Sequence, residues 1–85
     1  MTQQEIREVI LEIIRDIQQD DSIQDVKDDV PFREQFEMDS MDFLDIVMGL
    51  YRQYKVEVPE ADYPALATMN STVEYLLPKM EHLSR

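Results

Sequence analysis

Ser40, preceded by Asp39 and followed by Asp42 and Asp45, is the side chain of this sequence best placed to take part in chemistry. It opens the stretch Ser40–Tyr51 (SMDFLDIVMGLY), whose apolar spacing is that of an amphipathic helix. A hydroxyl in the first turn of such a helix stands in solvent beside free backbone N–H groups, and the positive end of the helix dipole favours a phosphate attached to it. Ser40 therefore reads as a residue that becomes modified. An Asp-Ser pair alone is an ordinary helix cap, so the rest of the chain has to carry the distinction.

Other uses of this serine are poorly supplied. A hydrolytic serine needs a base, and the single histidine, His82, lies near the C-terminus, where chain ends fray. The chain has no cysteine, which removes thiolate nucleophiles, disulfides and Cys-based zinc sites and fits a reducing compartment. Carboxylates are plentiful, but glycosidase-type work needs opposed groups across a cleft, and 85 residues leave little material to build one. The acidic segment Asp20 to Val30 lacks the glycine and spaced oxygen ligands of an EF-hand loop. Neither a catalytic residue nor a metal site is expected, and a small hydrolase is the weakest reading.

Charge limits the partners. Nineteen acidic residues against eight basic ones give a formal net charge of -11, which argues against nucleic acid. Between Asp20 and Asp45, ten carboxylates stand against Lys27 and Arg33 alone. Such a surface favours partners with basic patches. No apolar run approaches the roughly 18 residues of a membrane span, and the first residues lack a secretory signal. A cytoplasmic monomer of one domain, residues 1–85, is expected, with no membrane span.

The elements that must position Ser40 read as helices. Thr2 and Glu5 have the spacing of a capping box, and Ile6, Val9, Ile10, Ile13, Ile14 and Ile17 then follow at helical intervals, predicting a first helix from Gln3 to Gln19. A long polar connection from Asp20 to Met38 should contain its own short turns and be pinned by Ile23, Val26, Val30, Phe32 and Phe36. The second helix is expected from Ser40 to Tyr54, with Asp39 as N-cap and Asp42 in the first turn. Its inward face is read as Met41, Leu44, Val47, Leu50 with Met48, and Tyr54. Val56 to Pro59 reads as an extended link, because the residue before a proline is pushed away from helical dihedrals. Glu60 to Leu66 can hold a short third helix, with Pro64 tolerated only in its first turn. A last helix begins at Met69 with Thr68 as cap, places Met69, Thr72, Val73, Leu76 and Met80 on one side, and should bend or end at Pro78. No segment pairs as strands, so the fold class is all-α: a small bundle of three main helices plus one short helix.

Taken together, the run Phe36–Leu50 (FEMDSMDFLDIVMGL) resembles the serine motif and second helix of acyl carrier proteins. Tyr54 at the helix end, Val56 to Pro59 before a short third helix, and Thr68 to Leu76 with Tyr75 align with the same pattern, so the resemblance covers essentially the full length. It implies an acyl-carrier-like fold and a free-standing carrier rather than an enzyme. Ser40 would bear 4'-phosphopantetheine, transferred from coenzyme A by a phosphopantetheinyl transferase, and the terminal thiol would hold acyl groups as thioesters. The expected cargo belongs to fatty-acid, polyketide or related specialised biosynthesis; a peptidyl or aryl carrier is the alternative, and beyond the family an unmodified acidic interaction domain. Partners are acyl-loading and acyl-processing enzymes with basic docking patches, met by Asp39, Asp42 and Asp45, with Met41 and Met48 as adaptable apolar contacts between the charges. Two departures stand out. Glu37 occupies a position where the family often has glycine, predicting a local change in the turn. Tyr51, Arg52 and Gln53 replace a late acidic row, pointing to a specialised carrier. Gly49, the only glycine, lies inside the second helix, which suggests a need for close approach by a helix or an acyl chain.

Overall fold

Isoleucine is a weak helix former, so the first helix owes its stability to what it buries. The computed structural model, which describes residues 1–84, shows how. Helix α1 (Gln3–Gln18) starts in a reciprocal Thr2–Glu5 capping box and ends at Gln19, which adopts a left-handed conformation. It buries Ile6, Val9, Ile10, Leu11, Ile13 and Ile14. Two long helices pack against it: α3 (Ser40–Tyr54) and α4 (Met69–Met80). The expected connection folds into a one-turn helix, α2 (Phe32–Gln35), and the short third helix is a 3-10 helix, Glu60–Leu66, lying against α4. Val56 and Val58 of the extended link both point into the core, with exposed Glu57 between them. No helix among the described residues is long and apolar enough to cross a membrane.

The connection before α3 is held rather than loose. Phe32 is fully buried, and its N–H donates to the Ala67 carbonyl at 2.9 Å, tying α2 to the end of the 3-10 helix. The Gln35 amide donates to the Lys27 and Val30 carbonyls (2.8 and 2.7 Å) and accepts from the Lys27 N–H (2.7 Å). Arg7 of α1 pairs with Asp25 and Asp28 and donates to the Val26 carbonyl at 3.0 Å. These bonds let a polar segment with few apolar residues keep one shape.

Three expectations need correction. The inward face of α3 is formed by Phe43, Ile46, Val47, Leu50 and Tyr54, with Ile46 and Leu50 fully buried, whereas Met41, Leu44 and Met48 are exposed. This helix carries two apolar stripes, and periodicity alone does not say which one meets the core. The last helix does not end at Pro78 but runs two residues further to Met80. The carbonyl of Glu74, which loses its helical donor there, belongs to an exposed turn that water can serve. Pro64 sits fifth in the 3-10 helix, beyond its first turn. Glu37 causes no strain, since positive φ among the described non-glycine residues occurs only at Gln19 and Lys55.

Gly49 faces Ile13 of α1, and a methyl built there would lie 3.4 Å from Ile13 Cδ1, which is ordinary contact. Close helix approach therefore does not require glycine. Gly49→Ala should raise stability by about 0.5–1 kcal/mol through restored helix propensity, measured by urea unfolding. A loss of stability would mean that Ile13 cannot accommodate the methyl.

The 3-10 helix is locked to α4 by the Tyr75 hydroxyl, which donates to Asp62 Oδ2 at 2.6 Å. Partial burial, reinforced by the carboxylate, pushes the phenol up to about 12. A pKa raised in the folded state stabilises the fold fully below the unfolded value near 10, and this contribution disappears as pH rises through about 12. Unfolding free energy should therefore fall over that alkaline interval, and Tyr75→Phe should remove this part of the slope. An unchanged slope in the variant would assign the alkaline loss to other groups.

Candidate functional site

Ser40 is the first residue of α3, and the geometry around it begins with the cap. The Asp39 carboxylate accepts from the N–H groups of Met41 (2.9 Å) and Asp42 (3.1 Å), while Asp42 Oδ2 accepts from the Asp39 N–H at 3.0 Å. This reciprocal box corrects one expectation: the N–H groups of Met41 and Asp42 are already committed to Asp39 and are not free for a phosphate. Asp39 and Asp42 hold the helix start, a role worth about 1 kcal/mol for such caps. The Ser40 hydroxyl is left projecting into solvent.

The other serines do not share this setting. Ser22 donates to Asp20 within a loop, and Ser71 exchanges hydrogen bonds with Thr68 as part of the α4 cap. Ser84 is exposed beyond the last helix. Only Ser40 combines an exposed hydroxyl with the first turn of a long helix among the described residues. His82, also exposed, lies in the turn after α4 and far along the chain from it.

Beside the hydroxyl opens a groove of about 280 Å³ lined by Arg33, Ser40, Phe43, Tyr63, Pro64 and Ala67. One wall belongs to α3, the other to the 3-10 helix and Ala67 just after it, and α2 closes the end with Arg33. Arg33 Nη2 lies 3.4 Å from Ser40 Oγ, and the guanidinium sits over the Phe43 ring, 5.3 Å from its centroid. Among the described residues no carboxylate lines this groove, although the surrounding segment is the most acidic of the chain.

The outward stripe of α3 runs away from Ser40 as Met41, Leu44, Met48 and Tyr51, which are 66%, 37%, 42% and 48% exposed. Asp45 is exposed four residues after Met41, on the flank of that stripe. Past Met48 a second, larger hollow of about 520 Å³ lies between α3 and the extended link, lined by residues including Val47, Tyr51, Val56 and Val58. The structure thus brings Met41, Asp45 and Met48 to one face, and leaves Asp39 and Asp42 at its head engaged in capping. Sequence reasoning read Leu44 as inward and missed it as a surface residue, and it missed Arg33 as a neighbour of Ser40. The available signal for Arg33 was its isolation as one of two cations in the acidic segment.

Comparison with known proteins gives a consistent picture. A family model described as a phosphopantetheine attachment site matches residues 4–76. An acyl carrier protein of Sulfurovum sp. is 29% identical over 72 residues, covering 85% of this chain and 89% of its own length. An acyl carrier protein of Wolinella succinogenes is also 29% identical over 72 residues, covering 85% and 88%. Polyketide-8 synthase acyl carrier protein 2 of Streptomyces avermitilis is 26% identical over 80 residues, covering 94% and 86%.

Proposed function

Because the chain belongs to the phosphopantetheine-attachment family of acyl carrier proteins, we propose that Ser40 is the residue to which its 4'-phosphopantetheine is joined and that the cargo is an acyl group of specialised biosynthesis. The family makes the protein a carrier that serves synthesis enzymes, not an enzyme, and the prosthetic group is covalent. Its terminal thiol supplies the thioester chemistry that a chain without cysteine lacks.

The observation that carries the assignment is the exposed Ser40 at the first residue of α3, beside a groove whose lining among the described residues contains no carboxylate. These residues fit the group. Phe43, Tyr63, Pro64 and Ala67 offer an apolar wall to a flexible arm, and Asp39 fixes the helix start so that Ser40 is held at a constant angle to it. Ser40 needs no base within the chain, since a transferase that takes the group from coenzyme A would activate it.

For recognition, Met41, Leu44, Met48 and Tyr51 form an adaptable apolar strip flanked by Asp45, with Asp39 and Asp42 at its head. Partners with basic patches around an apolar centre would dock there, the charges steering encounter and the methionines and Tyr51 contributing contact. Arg52 and Lys55 at the far end of α3 favour partners that do not require a late acidic row. The relatives include both a plain acyl carrier protein and one of a polyketide synthase.

The test is a thiol titre. The purified apo-protein has no thiol; incubation with coenzyme A, magnesium and a broad-specificity phosphopantetheinyl transferase should give one per chain, which then accepts acyl groups as thioesters. A titre that stays at zero would contradict the carrier reading.

A further inference from the structure

Arg33 is a cation in a stretch of the chain dominated by carboxylates, yet among the described residues it forms no ion pair with any of them. Its guanidinium lies instead over the Phe43 ring at 5.3 Å, with Nη2 directed to Ser40 Oγ at 3.4 Å. A 3.4 Å contact to a neutral hydroxyl is too long to account for that placement. The guanidinium is seated by the Phe43 ring rather than by this oxygen.

Its backbone is correspondingly fixed. Phe32, the preceding residue, is fully buried and hydrogen-bonded to Ala67, and the Phe36 N–H returns to the Phe32 carbonyl at 2.8 Å, closing the turn that carries Arg33. The aromatic face of Phe43, one turn along α3 from Ser40, orients the planar fork, an arrangement in which arginine loses little freedom when it binds an anion. A phosphodiester joined to Ser40 would carry its unesterified oxygens two bonds beyond Oγ, within reach of a guanidinium whose Nη2 already lies 3.4 Å from that oxygen. Arginine binds such oxygens at about 2.8 Å, often through two N–H groups.

We propose that Arg33, seated on Phe43, is a phosphodiester-binding residue that clamps the first segment of the prosthetic arm and directs it along the groove toward Tyr63 and Pro64. This rests on the reading of Ser40 as the attachment residue. The clamp is a local answer to the protein's charge: with Glu34, Glu37, Asp39 and Asp42 nearby in sequence, an added anion would otherwise be repelled from the surface and the arm would extend freely. Because Arg33 is exposed, salt should weaken the clamp.

The experiment follows the phosphorus and the guanidinium in protein converted to the holo form, with intact mass and peptide fragmentation first establishing that the arm is on Ser40. In the wild type, conversion should shift the Arg33 Hε–Nε cross-peak and slow its exchange with water. The 31P resonance should drift as salt is raised to about 1 M, where the screening length falls to about 3 Å. Arg33→Ala should abolish that drift and leave the 31P resonance at its high-salt position throughout, while Arg33→Lys retains the charge but not the fork and keeps only part of it. An arm on Ser40 with the same salt titration in wild type and Arg33→Ala would overturn the clamp alone. An arm found on another residue would overturn the attachment reading and the clamp with it.

Discussion

Ser40→Ala should lose all capacity to take up the phosphopantetheine arm while keeping the stability of the wild type. The two halves of this result have separate causes. Uptake fails because no remaining serine opens a long helix with an exposed hydroxyl: the Ser71 hydroxyl is tied into the Thr68 cap, the Ser22 hydroxyl to Asp20, and Ser84 lies beyond the last helix. Stability survives because Ser40 is exposed, its contact with Arg33 is long at 3.4 Å, and the helix start is capped by Asp39. Surface changes of this kind stay within about 0.5 kcal/mol, and alanine is the better helix former. Intact mass after transferase treatment and thermal unfolding measure the two together. Uptake by the folded variant would move the attachment point elsewhere; a large fall in melting temperature would show that Ser40 is a structural residue.

Phe32→Ala should be the most damaging single truncation in the segment before α3, costing about 3–5 kcal/mol. Phe32 is among the largest fully buried side chains, and it supplies the anchor for a helix of only four residues. Against a total stability of about 5–15 kcal/mol for small domains, that loss removes from about a fifth of the stability to nearly all of it. Phe32→Leu fills most of the space and should retain the fold at a cost below about 1.5 kcal/mol. Urea unfolding of the three proteins checks this order. If Phe32→Ala lost less than about 1 kcal/mol, the segment would be anchored by Gln35 and Arg7 rather than by its aromatic ring.

Much of this was legible in the sequence where one physical signal dominated. The isoleucine ladder of α1, the Thr2, Asp39 and Thr68 caps, and the extended link before Pro59 all lie where expected, because each rests on spacing or on local hydrogen bonding. The helix α3 was harder. Met41, Leu44, Met48 and Tyr51 have the same periodicity as Phe43, Ile46, Val47, Leu50 and Tyr54, and only packing against α1 decides that the second set goes inward. Pro78 does not end the last helix for a different reason: a proline two residues from a helix end costs one hydrogen bond, that to the carbonyl of exposed Glu74. The serine itself was visible from its place at a helix start, but its surroundings were not. The groove and the position of Arg33 depend on α2 meeting the 3-10 helix through the Phe32 to Ala67 hydrogen bond, a contact between residues 35 positions apart that no local pattern encodes.

The surface of α3 carries the consequence for function. Where the inward stripe secures the bundle, the outward one is left exposed beside Ser40, so one helix both supports the modified residue and presents it with an apolar strip and Asp45. The most direct test of the account is the site of modification in the wild-type protein. Proteolysis of the transferase-treated chain, followed by fragmentation of the peptide that carries the added mass, should locate one phosphopantetheine on Ser40 and on no other residue. Its location on Ser22, Ser71, Ser84 or a threonine, or the absence of any added mass on the folded protein, would contradict it.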